Sequence, residues 1–505
     1  MTTTIFRNVH LLAPESAEGM SSICDLKTRN GKIAEISESI TVTSGDEVIE
    51  GNGRLLMPGL VNGHFHSSVN HMKGRLPGLP LEIFMLYECP ELEILRPTPR
   101  EAYLRTMLGC MEMLECGTTA VQDDCFFVPE PEPDVIDAVV QAYTDSGMRV
   151  RIALDQPEVS ELEKLPYLAD MVPDELRRVL AEPARLCGQG LLEQYRHLLD
   201  RWHNTGDGRI QAAVSCSAPQ RVTPEYFEAL DDLSKTHDLP FYAHMLETKT
   251  QRVLGIEKYG GRSLVRYTND LGLLSERMNI IHAIWIDEAD MDLIAEQGAK
   301  VAHNPICNLR LGSGIMPFRA LAQRGIPICL GVDEAIADDA INMWSVVKLA
   351  GMVHSLSDPD YRRWPQAKEI LAAATTGGGR AMRVSNLGEL KLGAPADLIF
   401  VDLNALPFLP LNNLVRQLVH CELGRSVDLV MVEGRIVARN GRITTVDRSA
   451  LLEEARDLFQ QKSAAINEAG EAVGERLGPY FAMYDKAMGV DVGIERRLPF
   501  VSPVS

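Results

Sequence analysis

The chain has 505 residues, with 50 Lys and Arg against 70 Asp and Glu for a formal net charge of −20, and 45% of its residues are hydrophobic. Its length exceeds the usual size of one domain, and its composition is that of a globular protein, which excludes extensive disorder. The acidic balance argues against nucleic acid as a partner, because phosphate contacts require clustered Lys and Arg.

The first sixty residues predict short strands joined by turns, and similar strands return near the other end of the chain. Asn30-Gly31 is a hairpin turn signal within the first group. The runs that carry this prediction lie at 5–12, 23–28, 32–36, 48–50, 397–401, 427–432 and 435–439. We therefore expect one small β-sandwich domain built from residues 1–58 and 388–445, with two unrelated β patches as the alternative.

Between these ends, short β-rich runs alternate with amphipathic helices such as 223–237 and 288–297. The eight candidate strands are 59–62, 119–122, 150–154, 210–215, 241–244, 278–282, 300–303 and 328–331. Strand–helix alternation predicts parallel strands with crossover helices. Eight such units predict an α/β fold closed into a (β/α)8 TIM-like barrel over residues 59–387.

Beyond the predicted strands the chain becomes helical and charged from 446 to 488. Leu451, Leu452, Ala455 and Leu458 recur at helical spacing. We expect a C-terminal helical extension over residues 446–505 that packs on the barrel or on another subunit.

The motif His64-Phe65-His66 comes directly after the first predicted barrel strand. Residues two apart in an extended segment point the same way, so two imidazoles lie side by side. They stand at the carboxyl end of the strand, where barrel enzymes place their active sites. Neutral imidazole nitrogens suit zinc or iron.

Further polar residues stand at the predicted ends of other barrel strands. His244 ends the fifth strand and is followed by Glu247, His282 ends the sixth, and Asp333 follows the eighth. Each alone is explained by a buried hydrogen-bonded His or by an Asp that caps a helix. Their coincidence with the HxH motif favours a shared metal site.

These segments resemble the amidohydrolase superfamily, most of all its chlorohydrolase and deaminase branch of s-triazine, S-adenosylhomocysteine and guanine deaminase relatives. The resemblance extends from about residue 5 to 440. Its motifs are 57–66 (MPGLVNGHFH), 244–248 (HMLET), 282–285 (HAIW), 303–314 (HNPICNLRLGSG), 330–333 (LGVD) and 393–398 (GAPADL). The branch implies a barrel enzyme in which a metal activates water to hydrolyse a C–N bond.

The resemblance also implies the role of each matching residue. His64, His66, His244 and Asp333 would bind one divalent metal ion, zinc or alternatively iron. In catalysis, Asp333 would accept the proton of the water, His282 would orient that water, and Glu247 would carry a proton to the leaving nitrogen. The fourth predicted strand ends without the Lys of two-metal relatives, so one metal is expected.

The segments that contact the substrate in nucleoside-type deaminases depart from the pattern here. Ser217 stands where those relatives carry a His, Gln220 follows it, and Glu334 stands where they carry a Gly. We predict that these three residues and His303 bind the substrate, while a loop-stabilising role is an equal alternative for His303. The departures argue against adenosine-type deamination. A third departure includes Ala337, Asp338 and Asp339.

The favoured function is deamination of a heteroaromatic small molecule. Hydrolysis of an amide, urea or carbamate such as a phenylurea, or of an s-triazine, is the alternative. A non-catalytic scaffold is the distant alternative, which metal analysis of the purified protein would distinguish.

The cysteines and the first residues of the chain indicate the cellular compartment of the protein. The ten cysteines, among them Cys89, include no CxxC pair, which favours reduced thiols over a disulfide framework. The start of the chain lacks the features of a signal peptide, and no apolar stretch of about 18 residues is present. We expect a cytoplasmic homo-oligomer with a small-molecule substrate and no membrane partner.

Overall fold

The computed structural model describes residues 3–88, 92–338 and 340–498, and its central feature is a barrel of eight parallel strands. Cys89, Asp339 and residues 499–505 of the predicted extension therefore lie outside the described residues. The barrel strands are Leu60–His66, Thr118–Cys125, Arg149–Leu154, Ile210–Ala212 with Val214–Ser215, Phe241–Met245, Met278–His282, Lys300–His303, and Ile328–Leu330 with Asp333–Glu334. The predicted α/β class and TIM-like barrel are confirmed.

The eighth strand closes the barrel in two steps. Ile328–Leu330 pairs with the seventh strand, and Asp333–Glu334 pairs with the first. Gly331 lies between the two segments, where a Cβ atom would be 2.8 Å from the backbone nitrogen of His64. Only glycine permits this approach, which explains the Gly in the LGVD motif.

One sequence prediction about the strand ends is wrong. We expected the first strand to end at Asn62 with the two histidines after it, but the strand extends to His66. Asp333 follows the strand Ile328–Leu330 as expected, but it also begins a short strand of its own, Asp333–Glu334. The pairing of Asp333 with Phe65 and of Glu334 with His66 supplies the backbone hydrogen bonds that extend both segments.

Helices surround the barrel and connect its strands. Two of the described helices begin with a capping side chain followed by proline: Thr98 accepts a hydrogen bond from the Glu101 amide, and Thr223 accepts one from the Tyr226 amide. The described helices are Leu81–Glu88, Pro99–Glu115, Pro133–Ser146, Glu161–Lys164, Leu168–Met171, Asp174–Leu180, Gln189–Trp202, Pro224–His237, Lys249–Lys258, Leu264–Asp270, Glu288–Glu296, Pro305–Arg310, Phe318–Gln323, Ala335–Asp338, Met343–Val353, Ala367–Ala372, Gly378–Ala381, Leu414–His420, Arg448–Ala472 and Gly474–Met488.

Strands from both chain ends pair into one sheet of nine strands. They are Thr3–Leu11, Cys24–Arg29, Lys32–Ser37, Glu47–Glu50, Leu55–Pro58, Leu398–Val401, Val427–Val432, Arg435–Arg439 and Arg442–Ile443. Leu55–Pro58 pairs antiparallel with Leu398–Val401 and so joins the two ends of the chain. Its packing as a sandwich remains a prediction.

A buried ion pair links this sheet to the barrel. Arg149, at the start of the third barrel strand, donates from Nε and Nη2 to the two carboxylate oxygens of Asp397 at 2.7 and 3.0 Å. Asp397 also accepts a hydrogen bond from the Glu433 amide at 2.9 Å. Both Arg149 and Asp397 are buried. The Asp of the GAPADL motif therefore has a structural role.

We expect Arg149→Met to lower the free energy of unfolding by about 3–5 kcal/mol, because the Asp397 carboxylate is then left buried without its partner. Urea-induced unfolding measures the change. Arg7→Ala, which removes an exposed pair with Glu50, is the matched control and should cost less than about 1 kcal/mol. A loss for Arg149→Met as small as that of the control would contradict the role of the buried pair.

The two helices Arg448–Ala472 and Gly474–Met488 follow the sheet and return to the barrel. Val473, Tyr480 and Met483 are buried in one apolar cluster with residues of helix Leu81–Glu88 and of the loop after the third barrel strand. The C-terminal helices therefore contact the loops that surround the carboxyl ends of the barrel strands.

None of the helices within the described ranges combines the length and the apolarity needed to cross a membrane.

Candidate metal centre and catalytic site

Four predicted ligands meet at the carboxyl ends of the barrel strands. The ring centroids of His64 and His66 are 4.6 Å apart, and the ring of His244 lies 4.9 Å from the first and 5.4 Å from the second. Asp333 Oδ1 lies 3.3 Å from His64 Nε2 and 3.6 Å from His66 Nε2. Side chains from strands one, five and eight therefore surround one point.

The donor set at this point fits a divalent cation. One atom each from His64, His66 and Asp333 lies within 4.8 Å of the others, and His64, His244 and His282 meet the same condition. His64 Nε2 and Asp333 Oδ2 are buried without a hydrogen-bond partner. Buried polar atoms are usually satisfied, and both atoms are available to bind a cation at this point. Imidazole and carboxylate donors suit zinc or iron.

Hydrogen bonds fix the orientation of two of the imidazoles. His244 Nδ1 donates to the Ser217 carbonyl at 2.7 Å, and His66 Nδ1 donates to the Asp124 carbonyl. A carbonyl can only accept, so each Nδ1 carries the proton and each Nε2 presents a lone pair. Such partners behind the ligating ring are typical of metal-bound histidines.

The ionisation states also suit a cation. Burial lowers the pKa of His64 to about 4 and that of His244 well below its ordinary value, so both rings are neutral at pH 7. Burial opposes ionisation of Asp333, but the neighbouring His64 outweighs it and holds the pKa of Asp333 well below the usual carboxyl value. The site thus presents neutral nitrogens and one anionic oxygen.

The backbone around the site adopts a rare conformation. Ser217, Leu246, His282 and Asp333 have positive φ angles of 59°, 54°, 72° and 74°. Non-glycine residues in this region are strained by about 1–3 kcal/mol each, and such residues cluster at functional sites. All four lie at carboxyl ends of barrel strands or directly after them.

Glu247 and His282 lie together beside the ligands. His282 Nε2 is 3.4 Å from Glu247 Oε2 and 3.7 Å from Asp333 Oδ2, while His282 Nδ1 donates to Asn308 Oδ1 at 2.9 Å. Burial, and then the charge of Asp333, raises the pKa of Glu247 well above its ordinary value. Glu247 can therefore hold a proton near neutral pH.

A cavity of about 780 Å³ opens onto these side chains. His66, His244, Glu247, His282 and Asp333 contribute to its wall, together with two of the predicted substrate contacts, Ser217 and Glu334. The remaining lining residues include Leu81, Met85, Phe126 and Phe127. The cavity is large enough for a small-molecule ligand.

The other two predicted substrate contacts, His303 and Gln220, lie elsewhere. His303 Nε2 is 3.2 Å from His354 Nε2, and the two rings pack against each other outside the lining of this cavity. Gln220 lines an adjoining cavity. Their contact with substrate stays a prediction.

Three further residues of the cavity wall were not identified from the sequence. Asp155 directly follows the third barrel strand, and its Oδ2 is 3.9 Å from His66 Nδ1. Arg221 donates from Nη1 to Ser217 Oγ at 3.1 Å. Glu88 hydrogen-bonds Glu334 within the cavity. The rule that selected Asp333, a carboxylate after a strand, would have found Asp155, whereas nothing in the sequence marks Arg221 or Glu88.

Comparison with known proteins finds a match over most of the chain. The model of the amidohydrolase family matches residues 55–437. The chain is 31% identical over 437 residues to a 5-methylthioadenosine/S-adenosylhomocysteine deaminase of Nitratidesulfovibrio vulgaris, covering 86% of this chain and 91% of the relative. It is 27% identical over 467 residues to a 5′-deoxyadenosine deaminase of Methanosarcina mazei, and the match covers 92% of this chain and 100% of the relative.

Solved structures share the fold. An adenosine deaminase from Xanthomonas campestris with bound zinc aligns with a TM-score of 0.78 at 24% identity, covering 92% of this chain and 99% of the other. A triazine hydrolase from Arthrobacter aurescens aligns with a TM-score of 0.80 at 22% identity, covering 91% of this chain and 100% of the other.

Proposed function

Because the chain belongs to the amidohydrolase family and its relatives are deaminases of small molecules, we propose that it is a metal-dependent deaminase of a heteroaromatic compound. The observation that carries this proposal is the convergence of His64, His66, His244 and Asp333 beside the buried Glu247. That arrangement combines a cation site with a proton carrier, the two elements that hydrolysis of a C–N bond requires.

The cation would be held by His64, His66, His244 and Asp333, and we propose a single zinc ion, with iron as the alternative. When bound, it supplies a Lewis acid that makes water nucleophilic near neutral pH. The absence of a Lys in Val214–Ser215, at the end of the fourth strand, supports one metal and not two.

Two side chains, those of Asp333 and Glu247, transfer the protons of the reaction. Asp333 accepts a proton from the attacking water, while His282, held by Asn308, orients that water through Nε2. The water oxygen bonds to the ring carbon that carries the amino group. Glu247 donates its proton to the departing nitrogen as the C–N bond breaks, and ammonia leaves.

Ser217 and Glu334 would contact the substrate from the cavity wall, and His303 and Gln220 would act from behind it. Ser217 is shorter than the His of nucleoside-type deaminases, and its hydroxyl already accepts a hydrogen bond from Arg221. This difference favours a substrate other than adenosine itself. It also supports the second candidate, release of a substituted amine from a urea, carbamate or s-triazine.

A substrate panel tests the proposed function. We expect ammonia release from at least one member of a purine, pterin and aminotriazine set, measured with a coupled ammonia assay. The same preparation is offered N-aryl ureas and carbamates, with amine release followed by chromatography. Amine release without ammonia release would overturn deamination in favour of the second candidate. Inactivity of the metal-loaded protein on both sets would favour a scaffold.

The domain arrangement and the cellular setting complete the proposal. We propose that residues 1–58 and 388–445 form one supporting β-sandwich domain beside the barrel of residues 59–387, and that 446–505 form a C-terminal extension. The pairing of Leu55–Pro58 with Leu398–Val401 supports the first unit. We also propose a cytoplasmic homo-oligomer, and the unpaired state of all nine cysteines within the described residues supports a reducing compartment.

A further inference from the structure

A second cavity adjoins the catalytic one and is larger, at about 1520 Å³. We call it the outer chamber. The two cavities share five lining residues: Leu81, Met85, Pro157, Lys164 and Arg221. A substrate whose reacting end lies beside the ligands would therefore direct its other end toward the outer chamber.

The C-terminal helices form one wall of the outer chamber. Ala472, Val473, Arg476 and Tyr480 line it, although they lie beyond the region that matches the amidohydrolase family. Val473 and Tyr480 are 3% and 1% exposed and pack in the same apolar cluster as Ile83 of helix Leu81–Glu88. This packing holds the wall in place against a loop of the catalytic cavity.

The opposite wall comes from the loop after the third barrel strand. Its apolar lining residues include Leu165, Pro166, Val179 and Leu180. Val179 is 52% exposed although it lines the chamber. An apolar side chain at the edge of a cavity offers a contact surface to an apolar ligand.

One ion pair, Lys164 with Glu161, lies within the chamber lining. Lys164 Nζ donates to Glu161 Oε1 at 2.6 Å, and the Tyr480 hydroxyl donates to Glu161 Oε2 at 3.2 Å. The lining also includes five other charged residues beside its apolar side chains: Glu82, Glu182, Arg185, Arg221 and Arg476.

The boundary between the two cavities carries a guanidinium group with weak partners. Arg221 donates from Nη1 to Ser217 Oγ and from Nη2 to Met85 Sδ, each at 3.1 Å. Within the described part of the chain it forms no ion pair with a carboxylate. A thioether is a weak acceptor, so the contact between Arg221 and Met85 is readily exchanged for a contact with a ligand.

We propose that the outer chamber binds an apolar substituent of the substrate and that the C-terminal helices determine the size of substituent accepted. This inference rests on the proposed deaminase function and specifies its substrate as a two-part molecule. A heteroaromatic head occupies the catalytic cavity, and an alkyl or aryl group crosses beside Arg221 into the outer chamber.

The test compares substrates that carry a short or a long alkyl substituent on one of two heteroaromatic rings. Melamine and 2,6-diaminopurine, each carrying an N-methyl or an N-hexyl group, are assayed for ammonia release. Ala472→Trp and Val179→Trp each reduce the chamber from one wall, and both positions are exposed enough to accept the larger side chain. Ala464→Trp, on the same helix as Ala472 but outside the chamber lining, is the matched control.

We expect the ratio of kcat/KM for hexyl to methyl compounds to fall by roughly tenfold or more in both chamber variants, because excluding a few methylenes from an apolar site costs an order of magnitude. The ratio should stay within about twofold of the wild type in Ala464→Trp. An unchanged ratio in both chamber variants would overturn the inference while leaving the deaminase function intact. Ammonia release from other members of the purine, pterin and aminotriazine panel but from none of these four compounds would overturn the inference and leave the deaminase function standing. Absence of ammonia release from the whole panel would contradict the proposed function.

Discussion

Replacing Glu247 with Gln is expected to lower kcat by about 10²–10⁴-fold while leaving the metal content unchanged, because the amide keeps the shape of the side chain but cannot carry a proton. Glu247 belongs to none of the donor groups that could hold a cation. Its nearest catalytic neighbour is His282, at 3.4 Å. The loss should therefore appear in turnover and not in metal binding.

Two measurements separate this role from a structural one. Metal analysis of the variant should give the same stoichiometry as the wild type, and its thermal unfolding midpoint should change little. Glu422→Gln is the matched control, since Glu422 is also fully buried but lies near helix Leu414–His420, away from the ligands. Turnover of Glu247→Gln within about threefold of this control would rule out Glu247 as the proton carrier.

The convergence of the four proposed metal ligands could be predicted from the sequence because regular geometry determines where their side chains lie. Side chains two apart on a strand share a face, and all strands of a parallel barrel end on one side. His64 and His66 follow the first rule, and His244 and Asp333 follow the second. Neither rule needs any knowledge of loops.

His282 and His303 show that a strand-end position alone does not determine where a side chain points. Tyr242, Ile281, Ala302 and Cys329 come from four neighbouring strands and form one buried cluster, so they face the barrel interior. Alternation then directs His303 outward, to its contact with His354. His282 follows Ile281, so the same alternation would point its side chain outward. Its positive φ of 72° turns the side chain toward Glu247 instead. A strand-end position gives no information about such a backbone reversal.

Two residues of the cavity wall, Arg221 and Glu88, could not be predicted for a different reason. Arg221 lies in a short 3-10 turn after the fourth strand, and Glu88 ends a helix after the first. Their approach to the cavity depends on how these connections pack against the C-terminal helices. Such contacts join distant parts of the chain and leave no periodic pattern in the sequence.

Replacing His64 with Ala is expected to remove the metal and with it all turnover above background. His64 belongs to two of the donor groups, one with His66 and Asp333 and one with His244 and His282, so its loss weakens both at once. The wild type should bind one equivalent of zinc or iron by elemental analysis, and the variant less than about a tenth of that, since losing one ligand of four weakens a site by orders of magnitude.

Metal binding should also be visible as stability, because a ligand that binds only the folded state stabilises it by about 2.7 kcal/mol at 100 times its Kd. Adding zinc to the chelator-treated wild type should raise the unfolding midpoint, and the same addition should leave His64→Ala unchanged. His71→Ala is the matched control: its ring packs on Phe459 at 5.1 Å, and His71 belongs to none of the donor groups. A full equivalent of metal in His64→Ala would refute the ligand assignment, and a second equivalent in the wild type would refute the single-metal site. The proton-transfer roles of Glu247 and Asp333 depend on this cation, because without it neither carboxyl group has an activated water to act on.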